Sequence, residues 1–159
     1  MTSVDTDRSR SRSDQQRFAE AEIIRVLGGQ LGVSLKSRRL SLGENASVQV
    51  DGYGKKDGVL YLAEAYARIG KLHGSQPDKV DSDVLKLLLL QRQLRGADSD
   101  RLFRLLIVFA DQSAKESYLR GWRRTSLREW DIEAPVVDLS PETRTAIEAA
   151  QILQRMKNA

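Results

Sequence analysis

Residues Leu102 to Ala110 form an apolar run broken only by Arg104 and followed directly by Asp111. The run lacks the period-two alternation of a strand with one wet face, and it is short for a helix. It therefore predicts a strand covered on both faces. A strand of that kind needs helices above and below its sheet.

On the N-terminal side, Ile23, Ile24, Leu27 and Leu31 recur at helical spacing, and Gly28, Gly29 and Gly32 loosen the end. This predicts an amphipathic helix over 15–31. Glu20 falls in the middle of that apolar face. It is either a first-turn glutamate favoured by the helix dipole or a carboxylate that reaches a buried polar site. A strand is expected within Leu35 to Leu42. A second strand, with Val48 and Val50 pointing one way, enters a turn at Gly52-Tyr53-Gly54, and Lys55 to Gly58 reads as a hairpin loop. The chain returns as a strand from Val59 to Arg68. Ser75 and Pro77 open a helix to about Arg95 with the stripe Val80, Val84, Leu87, Leu88 and Leu94. After the apolar run come a helix from Ser113 to about Arg128, a strand from Glu133 to Leu139, and a last helix opened by Ser140-Pro141-Glu142 and running to about Met156. The sum is one α/β domain over 15–159, a mixed sheet flanked by helices. Residues 1–14, rich in serine with Arg8, Arg10 and Arg12 offset by Asp5, Asp7 and Asp14, read as a disordered tail.

Composition removes several kinds of chemistry. With no cysteine there are neither disulfides nor thiolate metal sites. The single histidine, His73, excludes His-rich zinc centres, and Ser-His-Asp catalysis survives only if that one ring serves. No Walker-type phosphate loop occurs. No apolar stretch reaches the ~18 residues that span a bilayer, and no apolar leader follows Met1, so a cytoplasmic protein without membrane contact is expected. Over 159 residues the formal charge is +4. It is concentrated between Gln112 and Trp130, where Lys115, Arg120, Arg123, Arg124 and Arg128 face only Glu116 and Glu129 and are interleaved with Tyr118, Trp122 and Trp130. Arg120, Arg123, Arg124 and Arg128 are the candidate contacts to a nucleic-acid backbone, with the aromatic rings as stacking surfaces.

The candidate chemistry lies between Val48 and Leu90. Asp51 and Glu64 are expected on adjacent antiparallel strands. Glu64 shares a face with Leu60 and Leu62, so its charge must meet a cation, a hydrogen bond or a cleft. On the helix that follows, Lys79, Asp83 and Lys86 recur at i, i+4 and i+7 on one face. This order of elements and acidic residues resembles the restriction-endonuclease-like, or PD-(D/E)xK, nuclease superfamily over residues 15 to 140. The resemblance implies that fold and a metal-dependent nuclease hydrolysing phosphodiester bonds in DNA. Asp51 and Glu64 would bind Mg2+ or Mn2+, and Glu20 or Glu22 would be the helix glutamate. Tyr66 stands where the family has lysine, and Lys79, from the next helix, takes that role as a catalytic residue beside Asp51, Glu64 and Glu20. Family members often act as dimers, so a homodimer is a further expectation. The alternative is a nuclease-fold protein without catalysis that binds nucleic acid or another protein.

Overall fold

The structure is a computed structural model that describes the backbone of residues 3–159 and the side chains of 14–159; of the tail expected over 1–14, residues 1–2 and every side chain before Asp14 lie outside the described residues. Its elements run α1 (Ser3–Leu31), β1 (Lys36–Gly43), β2 (Ala46–Lys56), β3 (Val59–Tyr66), α2 (Gln76–Arg95), β4 (Leu102–Phe109), α3 (Gln112–Tyr118), α4 (Trp122–Glu129), β5 (Ile132–Glu133) and α5 (Pro141–Asn158). The five strands form one mixed sheet in the order β1-β2-β3-β4-β5. β1, β2 and β3 are an antiparallel meander, whereas β4 lies parallel to β3 and β5 parallel to β4. The α/β class expected from the sequence is the class observed. No helix of the described residues is long and apolar enough to cross a membrane.

The two central strands are buried on both faces, as the apolar run of β4 requires. Leu62 and Tyr66 of β3, with Leu105, Ile107 and Phe109 of β4, pack under Val80, Leu87 and Leu90 of α2 and under Ala114, Tyr118 and Leu127 of α3 and α4. The alternate residues Tyr61, Ala63, Ala65, Leu106 and Val108 pack on Ile23, Ile24 and Leu27 of α1. Burial of this kind contributes about 25 cal/mol per Å² of apolar surface and holds α1 and α2 on opposite sides of the sheet. Gln151 fastens α5: its side chain accepts from the Ile69 amide at 2.8 Å and donates to the Ile69 carbonyl at 2.9 Å. The Ser140 hydroxyl caps the helix by accepting from the Thr143 amide, with Pro141 in the first turn.

Three local expectations are corrected. The segment Gly52-Tyr53-Gly54 is not a turn but the middle of β2, and the hairpin turns on Asp57 and Gly58, with φ of 51° and 77°. These glycines serve close packing. A Cβ on Gly54 would lie 2.4 Å from the Ser34 carbonyl oxygen, and one on Gly52 would press on Ile24. The helix expected over Ser113 to Arg128 is broken at Leu119 to Gly121, where Gly121 takes φ of 55°, a conformation that ends one helix and re-aims the next. The strand expected from Glu133 to Leu139 is reduced to Ile132–Glu133 and a single bridge at Val136. Pro135 between them has no N–H to donate to a ladder.

Two glycines separate packing from propensity. Gly54→Ala is expected to destabilise the protein by about 1–3 kcal/mol, because the atom it strikes is backbone. Gly29→Ala, inside α1 with nothing within 4 Å, is expected to stabilise it by about 0.5–1 kcal/mol. Equilibrium urea unfolding of the two variants measures both signs.

Candidate functional site

Pairing of β2 with β3 runs regularly from Lys56↔Val59 to Gly52↔Ala63. On its other edge, β2 carries an extra residue: between Lys36↔Tyr53 and Arg38↔Val50 two steps of β1 face three of β2. The bulge falls at Asp51 and Gly52. It breaks the alternation, so that Val50 and Tyr53, an odd number of residues apart, both pack on the α2 side of the sheet. Asp51, half-buried, uses its carboxylate as a surrogate ladder partner, its Oδ2 accepting from the Ala65 amide at 2.9 Å. The aspartate is thereby fixed beside Glu64, the residue that precedes that amide.

Glu64 lies between Leu62 and Tyr66 on the middle strand and is only 3% exposed. Lys86 descends on it from α2: the ammonium is 2.7 Å from Oε1, donates to the Gln49 carbonyl at 2.9 Å, and stands 3.9 Å from Asp83. The contact with Glu64 is an ion pair outside hydrogen-bond geometry, so this buried Oε1 has no hydrogen-bond partner among the described residues. Burial, followed by the charge of Asp51, pushes the Glu64 carboxyl up to about 9, against the pull of Lys86.

Glu20 and Asp83 enclose this pair electrostatically. Burial raises the Glu20 carboxyl; the Gln16 amide, which donates to its Oε1 at 3.0 Å, opposes the rise, and Asp51 adds to it. Lys79 lowers it again and Asp83 raises it, so α1, β2 and α2 share one field. Asp83 is likewise raised by burial, with Lys86 and then Lys79 opposing. Glu20 lies mid-helix in α1, half-buried, and lines a cavity with Asp51.

Among the described residues no set of three or more acidic, histidine or cysteine side chains is arranged to hold a metal ion. Among the described residues, Glu64 carries the one buried carboxylate oxygen that lacks a hydrogen bond, with only the Lys86 ion pair beside it. Two carboxylates fit a magnesium or manganese ion, which commonly keeps waters and takes substrate phosphate oxygens for its other positions.

Lys86 is the residue that the sequence reading undervalued. The spacing of Lys79, Asp83 and Lys86 placed all three on one face, yet Lys86, two turns further along, meets Glu64. Lys79 is exposed, and its ammonium lies 5.9 Å from the Tyr66 ring centroid. Tyr66 is a buried residue packed edge-on against Phe109, with centroids 6.1 Å apart. Glu22 faces away and pairs with Arg25. His73 is exposed.

The basic segment divides. Arg123 chelates Asp81 with bonds of 2.8–3.1 Å and reaches Asp78 at 3.3 Å, and the Tyr118 hydroxyl donates to the same Asp81 at 2.9 Å. These contacts tie α4 to α2. Arg124 donates to the Leu119 carbonyl. Arg120 and Arg128 are exposed, as are Trp122 and Trp130. A different set of cations lies at the carboxylates. Arg17, Lys36 and Arg39 line a cavity of about 750 Å³ together with Glu20 and Asp51. Their separation in the sequence hid them, since no charge run marks them.

Because Glu64 titrates higher folded than unfolded, its contribution to stability is full below its ordinary 4.5 and is lost as pH rises toward about 9. Thermal unfolding across pH 5–9 is expected to show the wild type losing stability with rising pH and Glu64→Gln losing much less. Equal slopes would mean that Glu64 is not the group responsible. Comparison of the chain with protein-family models, curated proteins and solved structures gives no match.

Proposed function

We propose that this chain is a metal-dependent nuclease that hydrolyses phosphodiester bonds in DNA, with a restriction-endonuclease-like fold. The observation that carries the reading is the meeting of Asp51 and Glu64 on one site, with the Lys86 ammonium 2.7 Å from Glu64. The element order α1-β1-β2-β3-α2-β4, an antiparallel meander followed by a helical crossover to a parallel strand, supports the fold assignment.

In this reading Asp51 and Glu64 hold Mg2+ or Mn2+, which when bound polarises the scissile phosphate and acidifies water. Asp51 is held for that work by the Ala65 amide, and Glu64 by the two strands that flank it. Lys86 moves from Oε1 toward the negative charge that develops on the phosphate and takes the part for which Lys79 was the sequence candidate. Glu20, on the rim, supplies a carboxyl whose affinity for protons is raised by burial, suited to receiving one from the attacking water. Arg17, Lys36 and Arg39, with the exposed Arg120 and Arg128, provide phosphate contacts.

One observation favours a second reading, a nucleic-acid binder without catalysis. Tyr66 at the lysine position is absorbed into the core against Phe109 and offers no charge to the site. Cleavage assays on plasmid, linear duplex, single-stranded DNA and RNA, with Mg2+, Mn2+ or chelator, separate the two. Hydrolysis is expected only with divalent cation. It should fall at least about 10³-fold in Asp51→Asn and in Glu64→Gln, about 10²-fold in Lys86→Met, and less in Lys79→Ala. Cleavage that survives Asp51→Asn overturns the assignment, and salt-sensitive binding without cleavage establishes the second reading.

A further inference from the structure

Beyond the carboxylates, where β3 ends, a second, half-open cleft of about 1080 Å³ lies between α1 and α5. Neither Asp51 nor Glu64 lines it. Its apolar surface includes Phe18 of α1, which is 66% exposed, and Ile147 and Ala150 of α5; Gln154 of α5 adds a side-chain amide; Lys79 and Arg68 add positive charge against the single carboxylate of Asp14. The volume is that of a site for a small molecule. Its α5 wall is held in place by the paired bonds between Gln151 and Ile69 and by the Arg144–Asp111 ion pair at 2.7 Å.

Arg68 carries the argument. Its Nε is buried and has no hydrogen-bond partner, and its guanidinium makes no ion pair, both among the described residues. A guanidinium with no ion-pair partner among the described residues, placed at the wall of a cleft, is suited to an anion from outside. A guanidinium suits a phosphate, which it can grip with two parallel bonds. The exposed Phe18 ring for a base, the Gln154 amide for its edge and two cations for its phosphate make the cleft suited to a nucleotide. Lys79 joins it to the carboxylate site, since it lines the cleft from α2 two turns before Lys86, which meets Glu64.

We propose that this cleft is a subsite for one phosphate-bearing nucleotide of a single strand, held by Arg68 and Lys79 next to the Asp51–Glu64 pair. A base free to stack on Phe18 belongs to a strand end or an unpaired strand, since in a continuous duplex both faces of each base are already stacked. The assignment of this nucleotide to the cleaved strand rests on the nuclease reading; the binding itself does not. The test is titration of the full chain, in chelator, with a 5′-phosphorylated deoxydinucleotide and with its unphosphorylated counterpart, followed by NMR. Shifts are expected at Tyr66, Arg68 and α5 residues around Ala150. The phosphorylated ligand should bind at least tenfold more tightly than the other, Arg68→Gln should remove that advantage, and Ala150→Trp, which fills the cleft, should abolish binding. Equal affinity of the wild type and Arg68→Gln for the phosphorylated ligand, or shifts confined to α3 and α4, would overturn the subsite. Binding here by a protein that cleaves nothing leaves the subsite standing and sinks the nuclease. Cleavage of single strands at unchanged rate and affinity in Arg68→Gln does the reverse.

Discussion

A carboxylate on the middle strand of a sheet, roofed by a helix, is the condition that the rest of this molecule must meet. Glu64 is nearly inaccessible, and taking an uncompensated charge into such surroundings costs several kcal/mol even after relaxation. The chain answers with Lys86, but it also sets Asp51 beside the same group, which increases the demand for positive charge. A structure built only for stability would have another leucine at position 64, continuing the row of Leu60 and Leu62. The strain at Glu64 is relieved in two ways, by a proton or by a cation. That choice links the electrostatics of the site to the proposed chemistry.

The packing of α2 decides which lysine meets the carboxylate. Val80, Leu87 and Leu90 set the height of the helix over β3 and β4, and that height brings Lys86, not Lys79, over Glu64. Asp81, on another face, is gripped by Arg123 and Tyr118, so α3 and α4 lock the rotation of α2 as well. Across the sheet, Gly52 and Gly54 let α1 and the chain after it approach β2 closely, and this approach carries Glu20 toward Asp51. The bulge in β2 completes the arrangement by turning Asp51 out of the regular ladder. Each device that forms the site is a local departure from ideal geometry in an otherwise regular sheet.

The layered α/β class and the neighbouring strands of Asp51 and Glu64 were legible in the sequence, because a strand buried on both faces and a hairpin leave strong patterns. The register was not. Two glycines near Asp51 read as a turn, since sequence alone does not distinguish a glycine needed for a bend from one needed for a close approach. Nor did helical spacing decide between Lys79 and Lys86. Seven residues of helix span about 10 Å, and only the packing of α2 fixes where along that length the carboxylate lies. The arginine-rich segment misled for a related reason. Its apparent excess of charge is partly spent on Asp78 and Asp81, some forty residues earlier, while the cations that share a cavity with Glu20 and Asp51 come from α1 and β1.

The central claim, that Asp51 and Glu64 form one cation site, is tested most directly without reference to cleavage. Sub-stoichiometric Mn2+ added to isotopically labelled protein at pH 8 broadens the amide resonances of residues near the bound ion. The account predicts selective broadening centred on Asp51, Glu64 and Ala65, reversed by excess Mg2+ and lost in Asp51→Asn. Broadening scattered over the acidic surface, or unchanged in Asp51→Asn, would contradict it.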